Sequence, residues 1–165
     1  MKNNWIAIVS ASIATFVMIG ACQQAAEKET IESEWLGAGL QEMAENIETQ
    51  FRGFDMAMVE TGYRYKELYW AGTDENWDYA RYHTEKLETA IRNGFIRRPA
   101  REASATHYLN TALPAMLSAI DGGNQDDFFR EFTTLTASCN TCHALEDVPF
   151  MMVKIPEVRT TVIQR

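Results

Sequence analysis

Apolar side chains recur at steps of three and four along most of the chain. No stretch alternates with the period of two that a half-buried strand requires. From Glu34 to Trp70 the apolar positions are Leu36, Leu40, Met43, Ile47, Phe51, Phe54, Met58, Tyr65 and Leu68, one stripe that predicts one long buried helix. Gly53 and Gly62 weaken it locally, by up to about 1 kcal/mol each relative to Ala. Small residues there would also leave room for a neighbouring ring, and Ala71-Gly72 ends the helix.

Thr73 or Asp74 caps a second helix with acidic residues in its first turn. Its stripe is Trp77, Ala80, Thr84, Leu87 and Ile91, and Asn93-Gly94 closes it. Pro99 keeps Arg98 out of a helix. A third helix runs from Glu102 to Ile120 with Tyr108, Leu109, Ala112, Leu113, Met116, Leu117 and Ile120 inward. Pro114 either kinks it or opens the first turn of a second piece. After the turn at Asp121-Gly122-Gly123-Asn124, a fourth helix from Gln125 to Ala144 places Phe128, Phe132, Leu135 and Cys139 on one stripe. Val148 to Pro156 is apolar with two prolines and is predicted to be extended and laid over the domain. Four amphipathic segments with short links predict an all-α fold, an antiparallel up-down-up-down four-helix bundle with an extended C-terminal tail.

The N-terminus has a different character. Lys2 precedes the nearly uncharged apolar run Trp5 to Ile19, which has the length of a signal peptide and is short for a spanning helix. It closes on Ile19-Gly20-Ala21-Cys22, which resembles a bacterial lipobox. That resemblance implies a lipoprotein signal peptide over residues 1–21, lipidation of Cys22, a polar tether over 22–33 and a domain over 34–165. Gln23 stands where an Asp would retain the lipoprotein at the inner membrane, which points to the outer membrane. The expected location is the periplasmic side of a bacterial cell envelope, held to the membrane by the N-terminal lipid.

With 23 acidic against 15 basic side chains, the net charge is -8, which argues against nucleic-acid binding. The acidity would suit a basic redox partner protein. A length of 165 residues suffices for a domain with its own core.

The chemistry concentrates at Cys139-Asn140-Thr141-Cys142-His143, a C-x-x-C-H sequence. That spacing is the attachment signature of haem c: two thiols for the vinyl groups and an imidazole for the iron. On a helix, positions i, i+3 and i+4 share a face, so Cys139, Cys142 and His143 can reach one flat group. A zinc site would need a second ligand pair, which the chain lacks. A thioredoxin-like pair would follow a strand, and the flanks here are helical. Haem c is attached outside the bacterial cytoplasm, so the two ends of the sequence agree. One thiol is assigned to lipid and two to haem, and none remains for a disulfide.

Four helices with C-x-x-C-H near the C-terminus make residues 34–145 resemble the class II cytochromes c, the group of cytochrome c prime and its low-spin relatives. The block Trp70-Ala71-Gly72, Asn76-Trp77 and Ala80-Arg81-Tyr82 before C-N-x-C-H is similar to that of a group of bacterial c-type cytochromes. The resemblance implies one covalent haem c, with Cys139 and Cys142 as thioether donors and His143 as proximal ligand. It also implies a residue of the first helix facing the sixth position, and a homodimer as one mode of association. The lipobox, the long first helix and the apolar tail depart from the class.

Met58, on the stripe of the first helix, is the candidate distal ligand; a His/Met iron suits electron transfer. Core filling is the competing role. His83, off its stripe, and His107 read as surface or satisfied histidines. In an antiparallel bundle Arg97 and Arg98, with Arg92 and Arg101, fall at the haem end, where a guanidinium fork could hold a propionate. Two functions follow: a monohaem carrier of single electrons, or a five-coordinate haem protein that binds or senses a small gas such as NO or CO. No distal His/Arg pair, triad or paired carboxylates point to an enzyme.

Overall fold

The computed structural model of the protein describes residues 33–164. The expected signal peptide, the expected lipidation site Cys22 and the expected tether up to residue 32 lie outside them. The described residues are helical, with no strand among them. In chain order they form α1 (Leu40–Phe51), α2 (Phe54–Thr73), α3 (Trp77–Arg97), a short 3-10 helix (Pro99–Glu102), a π-turn (Tyr108–Ala112), α4 (Leu113–Gly122) and α5 (Gln125–Leu145). This is compatible with a helical bundle. The chain divides into two compact units, 1–48 and 49–165.

The long first helix of the sequence reading is two helices. Arg52 turns left-handed at φ 57°, and the Asp55 carboxylate accepts the Gly53 N–H at 3.0 Å. A short acidic side chain that bonds backbone nearby offers the chain an alternative to the helical ladder. α1 buries no residue; Leu40 is 86% and Phe51 61% exposed, so the stripe expected to be buried there is not. In the first unit the Glu42 carboxylate accepts the Ala38 N–H at 3.1 Å beside the start of α1.

The second unit holds the core, with Leu68, Leu87, Leu113, Met116, Phe128, Phe132 and Leu135 excluded from solvent. The predicted stripes of α2, α3, α4 and α5 supply these side chains. α3 begins at Trp77 because the Asn76 side chain accepts the Tyr79 N–H; α2 runs through the residues expected to stop it and ends at Thr73. α3 also continues through Gly94 to Arg97. That glycine is a close approach rather than a stop: a Cβ there would lie 2.6 Å from the Phe54 ring. Gly72 likewise faces the Phe128 ring, so room for a ring is made at 72 and 94, whereas nothing lies within 4 Å of a Cβ at 62.

α2 meets α5 through ordered pairs. Gly72 faces Phe128, Tyr69 meets Phe129 and Phe132, and Tyr65 lies 2.7 Å from Thr136 by its hydroxyl. The third predicted helix divides at Pro114, which lies in the first turn of α4. Proline lacks an N–H and crowds the carbonyl four residues back. The preceding turn widens to the π form, and the Leu113 N–H bonds the Tyr108 carbonyl.

His83 corrects the surface reading. It is 1% exposed, neither ring nitrogen has a partner, and Tyr63, Tyr79 and Tyr82 meet it edge-on. Burial, reinforced by Arg64, pushes its imidazole down to about 4, against the pull of Glu67. Helical spacing missed it because tyrosine rings, rather than the aliphatic stripe, enclose it.

The tail after residue 147 has no regular secondary structure beyond a short turn and, as expected, lies against the helices. The Lys154 carbonyl accepts from Tyr65, and Arg159 pairs both oxygens of Asp74 while lying 4.8 Å above the Trp70 ring.

A cavity at the C-x-x-C-H sequence

α5 is capped by Asn124, whose side chain accepts the Asp127 N–H at 2.9 Å, and it carries Asp126 and Asp127 in its first turn. Both features favour a helix N-terminus. Five turns on, the helix delivers Cys139, Cys142 and His143 to the wall of one cavity of about 400 Å³. That volume is within the ~300–1,000 Å³ of small-molecule and cofactor sites.

The opposite walls come from three other segments. α2 contributes Phe54, Asp55, Met58, Thr61 and Tyr65; α3 contributes Leu87 and Ile91; the segment after α3 contributes Arg98, Arg101, Ala105 and Tyr108. The tail adds Val148, Met151 and Val153. The end of α5 therefore meets the link after α3, as expected, and the start of α2 at Phe54.

Both cysteines are free thiols. Burial pushes the Cys139 thiol up to about 12, and the neighbouring Cys142 adds to the shift. Cys142 is raised by burial and by Glu146, with Arg101 opposing. The His143 Nδ1 lies 2.6 Å from the Met151 carbonyl. A carbonyl only accepts, so Nδ1 carries a proton, and in the neutral ring Nε2 then keeps its lone pair.

Of the arginines expected at an anionic group, Arg98 lines the cavity and Arg97 does not. Arg97 Nε instead donates to the Gly53 carbonyl at 3.2 Å. Arg98 donates to the Arg97 carbonyl and has no carboxylate partner among the described residues. Arg101 pairs Glu146 at 3.0 Å over the Phe54 ring, and Arg92 pairs Glu88 on the surface. His107 bonds Ser138 at 3.1 Å, so that histidine is satisfied, as the sequence indicated.

Two buried hydroxyls on the cavity wall, Thr61 Oγ1 and Tyr108 OH, have no hydrogen-bond partner. Tyr108 is 4% exposed, and its phenol is raised well above the usual range by burial, with the two cysteines adding to the shift. Sequence reasoning listed Tyr108 as core and passed over Thr61. It also missed Asn140, whose amide pairs with Val153, because neither partner is chemically unusual on its own.

No protein-family model, curated protein or solved structure matches the chain.

Proposed function

We propose that the protein is a monohaem c-type cytochrome that carries single electrons in the cell envelope, built as an antiparallel helical bundle around haem c. The observation that carries this reading is the convergence of Cys139, Cys142, a free-Nε2 His143 and Met58 on one cofactor-sized cavity. Cys139 and Cys142 would hold the haem through thioethers, and His143 Nε2 would bind its iron. The order of the α2–α5 pairs, Gly72 with Phe128 through Tyr65 with Thr136, supports the antiparallel arrangement.

Bound haem supplies a one-electron iron couple, and the chain's own residues set its surroundings. Phe54, Leu87, Ile91 and Ala105 would keep water from the group, which would strengthen every electrostatic interaction inside. Arg98, with no carboxylate of its own, is the propionate partner in this reading, and Arg101 is already neutralised by Glu146. Thr61 and Tyr108 would satisfy their hydroxyls on the bound group or on water beside it. Met58 reaches the cavity from α2, and a thioether on iron favours the reduced state.

The reading is tested on protein exported from cells that attach haem c. The purified chain should keep its pigment through acid acetone and lose it in the Cys139→Ser/Cys142→Ser variant. With Met58 on the iron, carbon monoxide leaves the reduced spectrum unchanged, and Met58→Ala makes the protein bind it. A wild-type spectrum that shifts with carbon monoxide would favour the gas-binding reading. A colourless protein would remove both.

A further inference from the structure

Nothing in haem attachment calls for an amide between the two cysteines, yet Asn140 is among the most specifically bonded side chains near the cavity. Its Oδ1 accepts the Val153 N–H at 2.8 Å and its Nδ2 donates to the Val153 carbonyl at 3.0 Å. One side chain thus pairs both backbone groups of a single tail residue, as a neighbouring strand would. Two residues earlier the Met151 carbonyl accepts from His143 Nδ1 at 2.6 Å. One residue later the Lys154 carbonyl accepts from Tyr65 at 3.2 Å.

Met151 is itself 55% exposed, and its carbonyl stays in place only through the chain on either side. On one side the Val148 N–H bonds the His143 carbonyl at 2.9 Å, and the Met151 N–H bonds Val148 at 3.0 Å, a turn that closes on α5. On the other side the first fixed point is Val153. Asn140 lies three positions before His143 on the same helix, so the clamp and the imidazole share one rigid frame.

We propose that Asn140 is a positioning residue for His143: by clamping Val153 it holds the Met151 carbonyl against Nδ1, fixing the tautomer and the ring plane so that Nε2 faces the cavity. The proposal rests on the haem reading only for its effect on the iron. Hydrogen bonding at Nδ1 makes the imidazole a stronger donor, which lowers the potential of a bound iron.

The test compares the full-length wild type with Asn140→Ala, Asn140→Asp and Arg159→Ala. Ring ¹⁵N shifts of His143 read the tautomer in the haem-free chain and, in the reduced haem-bound protein, the strength of the Nδ1–H hydrogen bond. In Asn140→Ala the Nδ1–H form should give way to a mixture in the haem-free chain; with Nε2 on iron Nδ1 keeps its proton, and its shift should move toward that of a weaker hydrogen bond. The Val153 amide should exchange about tenfold faster, the loss expected for one backbone hydrogen bond. The midpoint potential should rise. Asn140→Asp keeps the acceptor for Val153 N–H but not the donor, so it should fall between the two and serves if the alanine variant does not accumulate. Arg159→Ala loosens the far end of the tail and should leave the tautomer and potential at wild-type values.

A coloured Asn140→Ala protein with the Nδ1 shift and the potential both unchanged would overturn the positioning role and leave the cytochrome reading standing. Arg159→Ala moving them as far as Asn140→Ala would overturn it too, since the whole tail would then be responsible. A colourless wild type whose tautomer is held by Asn140 would do the reverse.

Discussion

Single residues decide how closely the helices approach, and Gly72 is the sharpest case. A methyl group there would enter the ring of Phe128, which is fully buried and has nowhere to go. Alanine has the better helix propensity, by up to about 1 kcal/mol, but less of that applies in a last turn. Overpacking a rigid core costs about 1–3 kcal/mol, so the clash wins. Gly72→Ala should therefore lower the urea midpoint without changing the slope, and a midpoint at or above wild type would contradict this packing. At this scale the residues that share the cavity wall were legible where the pattern is local: Cys139, Cys142 and His143 by spacing, and Met58 by its stripe. Arg97 and Arg98 are adjacent and chemically identical, and only the end of α3 decides which faces the cavity and which reaches the Gly53 carbonyl.

At the scale of elements, α5 matters most because it carries the thiols and the imidazole. Asn124 satisfies one of its orphan N–H groups. Asn124→Ala should cost about 1 kcal/mol in chemical denaturation, and Asn124→Asp should recover it, since a carboxylate also favours the helix N-terminus. Neither should alter the site, which lies at the other end of the helix. The core of α3 was legible because Trp77, Ala80, Thr84, Leu87 and Ile91 keep helical steps. The division of the first helix was not, because a glycine inside a periodic stripe is usually tolerated. What breaks the chain at Arg52-Gly53 is Asp55 taking the Gly53 N–H, a contact that spacing does not report. Gly94 was taken as a stop because its reason, the Phe54 ring, lies forty residues away in sequence. The tail was expected to lie over the domain, but the backbone carbonyl of Met151 belongs to no residue type, and no sequence pattern could have marked it.

For the whole molecule, two properties follow from what is buried. His83 is neutral in the folded chain, with its imidazole at about 4 against 6.5 ordinarily. Between those values the unfolded chain takes up a proton that the folded one refuses. His83 therefore contributes no pH dependence above 6.5. Stability falls as pH drops from 6.5 toward 4, by about 1.4 kcal/mol per unit and on the order of 3 kcal/mol in all. His83→Leu should flatten that part of a stability-against-pH curve; an unchanged slope would show that other groups carry it. The second property concerns the cavity. Apolar side chains line a cavity of about 400 Å³ and lack packing partners across it, a loss that water entering the cavity does not restore. Chain made without haem-attachment machinery should accordingly melt broadly by calorimetry. A sharp, cooperative transition would mean that the helices do not depend on a bound group.

The π-turn sets the phase of the segment that follows the arginines. Tyr108, Ala112, Met116 and Ile120 are all buried, a spacing of four throughout. A regular helix would drift by roughly 40° at each such step. The wide turn absorbs part of the drift, so one wall keeps Tyr108 on the cavity while Met116 stays in the core. Asn110, exposed in the middle of that turn, is then a spacer. Deleting it would rotate everything upstream by roughly 100° and swing Tyr108 away from the thiols, whereas replacing it would change little. At that position the chain is constrained in how many residues it has, not in which.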